Sequence, residues 1–368
     1  MLPRAAYVDP AVFGWEQRHF FGGGWLCVAR SEQLPQPGDQ RAEATGEGSV
    51  LLVRGEDGEL RAFANSCRHR GHELLPCGQG ARSNSVICPY HAWTYTLSGS
   101  LQGAAGFRKV RGFDFGSWGL TPLPVTEWHG LVFVDGSGGA GPGSGSLTEA
   151  LAKLDELVAP YEPERLVTAG EHRYDAAANW KTLTENYHEC YHCPSIHPEL
   201  CRVSPPQSGE NYADDGAWIG GWMDLRDGME TMSLSGASGG VPLRGLDAHG
   251  LRTVIYVNIF PNVLLSLHPD YVMTHRLIPL AADRTTIECT WAFAPEAVAR
   301  PDFDPSYAVD FWDLTNQQDW SACESVQRGL SSPHAVPGPL SPSEDAVHSY
   351  VSCIARGYLG QSVWSPVA

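Results

Sequence analysis

Positive charge is scarce in this sequence, and so are long apolar stretches. The 368 residues carry 25 Lys+Arg against 42 Asp+Glu, a formal net charge of −17. A balance this acidic excludes nucleic acid as a partner, because phosphates demand a basic face. No apolar run approaches the ~20 residues of a membrane span, so no membrane is expected. The first 24 residues mix Arg4, Asp9, Glu16 and Arg18 into their apolar positions and lack the apolar core of a secretion leader. Cysteine is modest, ten in the chain. That is too few for a disulfide scaffold of this length, and a reducing cytoplasm is the expected location. No internal repeat is present. The one G-x-G-x-x-G match, Gly136–Gly141, lies in a Gly/Ser-rich run and no parallel βαβ series follows it, so it is read as linker and not as a nucleotide site.

The length suits two domains, each with its own core. Residues 1–135 read as a helical segment followed by short strands broken by turns: Val50–Val53, Leu60–Ala64, Ser85–Ile87, Trp93–Leu97 and Leu131–Val134. Residues 136–146 are the flexible linker. Residues 147–368 begin with a helix marked by a Ser146/Glu149 capping box and a Leu147, Leu151, Leu154, Val158 face. A strand region (Leu166–Tyr174), a helix from Asn179, four further strands (Thr253–Ile259, Val263–Leu267, Tyr271–Leu277, Thr286–Phe293) and a last long helix over Tyr307–Arg328 follow. The expected fold class is α+β: an N-terminal antiparallel β domain, then an α+β domain with an antiparallel sheet and long helices.

Two short segments carry the first chemistry: Cys67-Arg68-His69 and, after 18 intervening residues, Cys88-Pro89-Tyr90-His91. Each offers one thiolate and one imidazole. Zinc fingers pair Cys with Cys and His with His in separate halves. The mixed halves here suit a [2Fe–2S] cluster with Cys67 and Cys88 on one iron and His69 and His91 on the other, an arrangement that raises the potential. Arg68, Arg70, Arg82, Arg108, Lys109 and Arg111 lie near these segments. Residues 1–135 are nearly neutral, with 12 basic against 13 acidic side chains, whereas residues 136–368 have 13 against 29. A basic docking face for an acidic electron donor is one reading of these residues and ordinary surface charge the other.

The second constellation is Glu185-Asn186-Tyr187-His188-Glu189-Cys190-Tyr191-His192-Cys193-Pro194-Ser195-Ile196-His197-Pro198. Glu189 and His192 fall on one face if the helix continues to Pro194, which would end it and bring His197 from the turn beyond. Two His and a later carboxylate make the facial triad of non-haem Fe(II) oxygenases, with open positions for O2. Asp313, Asp319 and Glu324 are the candidates for that carboxylate. His188 is read as a surface residue or one behind the ligands, and Cys190 and Cys193 as small buried residues.

The flanks Cys67-Arg68-His69-Arg70-Gly71 and Cys88-Pro89-Tyr90-His91-Ala92-Trp93-Thr94-Tyr95 resemble the Rieske pattern. Glu189-x2-His192-x4-His197 resembles the D/E-x2-H-x4-H motif of Rieske non-haem iron oxygenases, and Asp319-Trp320-Ser321-Ala322-Cys323-Glu324 their last ligand segment. The resemblance runs from Trp25 to Gly360. It implies a helix-grip-like catalytic domain and iron held by His192, His197 and Asp319. It also implies that Glu189 bridges an iron-ligand His to a cluster-ligand His of a neighbouring subunit, in a homotrimer served by a separate flavin- or ferredoxin-type reductase. The glutamate within Glu189–Cys193, together with Phe260-Pro261-Asn262, His268-Pro269-Asp270-Tyr271 and Gln327-Arg328-Gly329-Leu330, resembles the choline, carnitine and glycine-betaine monooxygenase branch. A small-molecule amine substrate, O2 and oxidative N-demethylation are the implied chemistry. Hydroxylation of an aromatic or natural product, or plain electron carriage, are the alternatives. Tyr212, Trp218, Trp222, Tyr271, Trp291 and Phe293 are the aromatic candidates for a cation pocket, each equally at home in a core.

Overall fold

A computed structural model describes residues 1–141, 145–213 and 216–364. The chain divides into two units, Glu16–Leu147 and a second formed by Met1–Trp15 with the residues from Thr148 onward.

The sheets of the first unit are all antiparallel. A five-stranded sheet runs in the order Gly80–Arg82, Asp39–Thr45, Gly48–Arg54, Leu60–Ala64, Pro122–Leu123. Val50 to Val53, at its centre, are fully buried. Trp25–Arg30, Leu131–Asp135 and Val125–Trp128 make a second sheet, and Val86–Ile87, Thr94–Tyr95 and Leu101–Gly103 a small third one. Several of these strands carry Gly, Gln or Arg and show no apolar alternation, which is why the sequence reading passed over them. Gly99 has a positive φ of 86°, and a Cβ there would come within 2.4 Å of the Phe63 ring. That approach seats the tip of the third sheet against the five-stranded one.

The linker expectation is only partly met. Asp135 accepts from both the amide and the hydroxyl of Ser137, whose Oγ in turn accepts from the Gly141 amide, so residues 136–141 form a held turn. Residues 142–144 lie outside the described ones.

The second unit is built on a seven-stranded antiparallel sheet. Its order is Val167–Ala176, Arg284–Phe293, Tyr271–Ala281, Val263–Leu267, Thr253–Ile259, Trp218–Asp224, Glu210–Asn211. Directly paired residues share a face. The register Gly221–Tyr256–Ser266–Met273–Trp291 therefore defines one side of the sheet. Helix Ser306–Ser331 lies against that side through Val309, Phe311, Trp312, Trp320 and Cys323. The short helix Trp180–Tyr187 packs beside it, capped by the Asn179 side chain on the Lys181 amide.

Several expectations need correction. The helix after the linker is broken at Leu151, where ψ opens to 8°, although Leu147, Leu151, Leu154 and Val158 are all buried as its apolar face requires. The long helix is not the last one. Asp345–Tyr358 follows, amphipathic but short of the earlier apolar signals. The 1–135 domain boundary also fails at its start, because Met1–Trp15 pack with the second unit. Tyr7 is fully buried there, its hydroxyl donating to Glu185 Oε1 at 2.6 Å and its carbonyl accepting from Asn179 and Gln327.

Burial pushes the Glu185 carboxyl up to about 7, against the pull of the Tyr7 hydroxyl and of buried Lys181. The folded chain thus keeps this proton over a range in which the unfolded chain, with an ordinary value of 4.5, has lost it. Stability contributed by this group falls as pH rises through that interval. Glu185→Gln keeps an acceptor for Tyr7 and abolishes the titration. In urea melts, the variant should gain on the native chain by roughly 2–3 kcal/mol between pH 5 and pH 8.

Candidate functional site

The first unit presents two loops with one backbone design. In the first, the Cys67 amide bonds the His72 carbonyl at 2.9 Å and the Gly71 amide bonds the Cys67 carbonyl at 2.8 Å. In the second, Cys88 bonds Trp93 at 2.8 Å and Ala92 bonds Cys88 at 3.0 Å. Each loop turns on a left-handed residue four after its cysteine, Gly71 (φ 72°) and Ala92 (φ 55°). The loops bring all four expected ligands together. Cys67 and Cys88 are buried, and the His69 and His91 ring centroids are 4.7 Å apart. His69 Nδ1 and His91 Nδ1 are buried and have no hydrogen-bond partner. Two such imidazole nitrogens beside two thiols fit the ligand set of a mixed Cys/His cluster. Behind them Tyr95 Oη lies 3.2 Å from Cys67 Sγ and accepts from the Arg68 amide, and Trp93 stacks on His69 at 4.9 Å.

Around the loops Arg68, Arg70, Arg108, Lys109 and Arg111 are exposed, together with Ile87, Tyr90 and Val110. Arg82 stands apart from them on the edge of the five-stranded sheet, 3.7 Å from Asp39.

The second unit gathers His192, His197 and Asp319, with one ligand atom of each within 4.8 Å of the others. Helix Trp180–Tyr187 ends earlier than the motif suggested. Glu189 and His192 are not on a helix, and Pro194 opens a short helix, Cys193–Ile196, instead of closing one. The carboxylate of Glu189 does locally what the helix was expected to do. Its Oε2 accepts from the amides of Tyr191 (2.5 Å) and His192 (3.1 Å), and its Oε1 meets His192 Nδ1 at 2.5 Å. A disulfide joins Cys190 to Cys193 across this turn, whose Cα atoms are 4.9 Å apart. They are therefore a bonded pair, not two separate thiols. His188 is buried rather than exposed, against Tyr350, and burial holds it down at about 4.

Both histidine rings are engaged through Nδ1. His192 Nδ1 donates to Glu189, and His197 Nδ1 donates to Gln318 Oε1 at 2.7 Å. Both Nε2 atoms are left to accept a metal ion once they are deprotonated. They face each other at 3.1 Å, with Asp319 Oδ1 2.8 Å from His197 Nε2 and 3.3 Å from His192 Nε2. Three acceptors converging on one point fit a cation, and two N donors with one O donor fit ferrous iron. Without a metal, burial works against charge on His192, but Asp319 and Glu189 outweigh it and push His192 up to about 9. Burial alone would raise the Asp319 carboxyl. The two imidazoles reverse this and hold it below the usual carboxylate range.

The two other carboxylate candidates are engaged elsewhere. Asp313 accepts from Tyr174 (2.8 Å) and Gln317 (2.6 Å) and meets His172 at 3.0 Å, and Glu324 accepts from the Ala177 amide. Sequence reasoning missed Gln318, whose only signal was its place beside Asp319, and Asn186, which reaches His192 Nε2 at 3.4 Å. Of the aromatic candidates, Tyr271, Trp291 and Phe293 are fully buried on the helix-bearing face. Alternation along Trp218–Asp224 puts Trp218 and Trp222 on the reverse face, and Tyr212 packs on Trp218. These three do not share a face with the triad's helix.

Both units match known protein families. Residues 24–114 match the Rieske [2Fe-2S] domain family, and residues 163–359 the ring hydroxylating alpha subunit (catalytic domain) family. The glycine betaine monooxygenase oxygenase subunit of Chromohalobacter salexigens is 31% identical over 92% of this chain and 81% of its own. The carnitine monooxygenase oxygenase subunit of Escherichia coli is 39% identical over 54% of this chain and 52% of its own. A solved quaternary ammonium Rieske monooxygenase, described for carnitine oxidation and inter-subunit electron transfer, superposes with a TM-score of 0.80 at 25% identity, over 96% of this chain and 94% of that one.

Replacing Asp319 by Ala should lower iron from about three to about two atoms per chain in metal analysis, leaving only the cluster. Asp313→Ala and Glu324→Ala should retain about three.

Proposed function

Since the chain belongs to the ring-hydroxylating alpha-subunit family and carries a Rieske domain, we propose that it hydroxylates an N-methyl group of a quaternary or otherwise methylated amine. Its cofactors are a [2Fe–2S] cluster and ferrous iron. Cys67, His69, Cys88 and His91 hold the first, and His192, His197 and Asp319 the second. When bound, they supply single electrons and O2 activation. As an oxygenase subunit, the chain works with a separate reductase on a small-molecule substrate. The reductase docks on the basic rim of Arg68, Arg70, Arg108, Lys109 and Arg111.

The observation that carries the reading is the pair of oriented imidazoles. Glu189 and Gln318 fix the rings of His192 and His197 so that both Nε2 atoms and Asp319 Oδ1 face one point. Glu189 has a second task. Its carboxylate, 12% exposed, holds the His192 Nδ1 proton and can pass it on as the charge on the site changes. The net reaction takes O2, two electrons and two protons, puts one oxygen atom into the C–H bond and releases the other as water. The hydroxymethyl group then leaves as formaldehyde and the amine nitrogen keeps the C–N electron pair. The names of the relatives, glycine betaine and carnitine monooxygenases, support this class of substrate. In our reading the molecule is a homotrimer in which the cluster of one subunit serves the iron of the next, as inter-subunit transfer in the superposed relative suggests.

With a reductase, NADH and O2, the enzyme should release about one formaldehyde per demethylated glycine betaine, carnitine or choline. Hydroxylation of an aromatic compound with no formaldehyde from any methylated amine would refute the substrate assignment and leave the family untouched. Cys67→Ala and Asp319→Ala chains, each inactive alone, should recover activity when co-assembled. No recovery would rule out the cross-subunit route.

A further inference from the structure

Buried polar atoms without a partner mark places that something else completes. The helix-bearing face of the seven-stranded sheet holds such a place at His268. Its side chain is fully buried, and neither Nδ1 nor Nε2 has a hydrogen-bond partner. Tyr256 Oη beside it is also buried and unpartnered. The two rings are 6.4 Å apart at 88°, and Trp312 lies 5.4 Å from His268 and 6.3 Å from Tyr256.

His268 is held firmly. Its amide bonds the Tyr271 carbonyl at 2.9 Å, and its ring stacks on Tyr271 at 4.1 Å. Tyr271 is itself fixed, donating to the Met232 carbonyl and accepting from Trp312 Nε1. Asp270, two residues from His268 in the same turn, is tied by the hydroxyls of Thr231, Ser238 and Tyr307. A side chain this constrained cannot swing away to find a partner. The pair also lies beside the metal loop: the Tyr256 ring is 6.0 Å from Tyr187, the last residue of the helix that leads into Glu189. Burial keeps the imidazole uncharged and the phenol protonated, so each presents a neutral hydrogen-bond donor.

A tetraalkylammonium head has no lone pair and no N–H, so it cannot satisfy an N–H or an O–H donor. An acceptor on another part of the substrate can. We propose that His268 and Tyr256 bind the carboxylate of a methylated amino acid, anchoring the tail of the substrate while its N-methyl group is presented to His192, His197 and Asp319. Two donors suit the two oxygens of one carboxylate, and bonds to an ionised acceptor are the stronger kind. The site rests on the N-demethylation reading and adds to it a preference for an acidic tail.

Calorimetric titration of the iron-loaded holoenzyme with glycine betaine and with tetramethylammonium tests it. His268→Phe preserves the stack on Tyr271, and Tyr256→Phe removes one oxygen atom. Each should weaken glycine betaine by about tenfold or more, and by at least about fivefold more than it weakens tetramethylammonium. In turnover the loss should fall on KM more than on kcat. Equal weakening of both probes, or none, overturns the proposal, as does a wild-type enzyme that binds tetramethylammonium as tightly as glycine betaine. Formaldehyde release by the wild type reads the reaction separately. An enzyme that demethylates amines without discrimination at His268 refutes the carboxylate site alone, whereas one that releases formaldehyde from no methylated amine refutes both readings.

Discussion

Two imidazole Nε2 atoms and a carboxylate oxygen face one another across 2.8–3.3 Å in the second unit, and their repulsion is relieved only by positive charge, a proton on His192 without a metal or the metal ion itself. The rest of that unit is arranged to make the convergence unavoidable. Helix Ser306–Ser331 brings Gln318 and Asp319 as neighbours, one to orient a histidine and one to join it. The Glu189 carboxylate shapes the turn that carries His192. Each imidazole spends its Nδ1 proton on a polar partner, so neither can relieve the repulsion by rotating. The positions of Asp313 and Glu324 show the same economy from the other side, since each already has amide or hydroxyl donors of its own.

The sheet and that helix explain why the site is rigid. Trp320, Cys323 and Leu183 pack against Leu264, Leu277 and Ile287 at one end, a dry contact that fixes the helix axis. Away from that contact the same face presents Tyr256, His268 and Trp291, each with at least one buried polar atom lacking a protein partner. A core built only for stability would not collect so many unmet donors on one side of a sheet. Stability is concentrated near the ligand helix, and recognition near the turn at His268.

Much of this was legible in the sequence because ligand chemistry tolerates few residue types. The mixed Cys/His halves singled out the four residues that the two loops bring together, and spacing singled out His192 and His197, which converge with Asp319. The choice of Asp319 over Asp313 and Glu324 needed the family pattern, since helix periodicity alone admits all three. Strands rich in Val, Ile and Leu, such as Thr253–Ile259 and Val263–Leu267, were read to the residue. Trp218–Asp224 was not, because its two glycines hide the alternation. The helical reading of Glu189–His192 failed for a local reason. A carboxylate bonding two amides just ahead of it makes a tight turn as stable as a helical one, and propensity does not see that competition. Tyr7 was misassigned because its partners, Glu185, Asn179 and Gln327, are far away in sequence.

The two cysteine loops share a backbone but not their surroundings. His69 lies flat on Trp93, a ring only 2% exposed, whereas His91 leans on Tyr90, which is half exposed at 53%. A twofold-like cradle therefore has unlike walls, one dry and one wet. Two chemically identical imidazoles are thereby made inequivalent: the inner one serves permanence, and the outer one can exchange protons and contacts with whatever approaches. Direction in this half of the molecule is thus a property of packing, imposed on a scaffold that is itself close to symmetric.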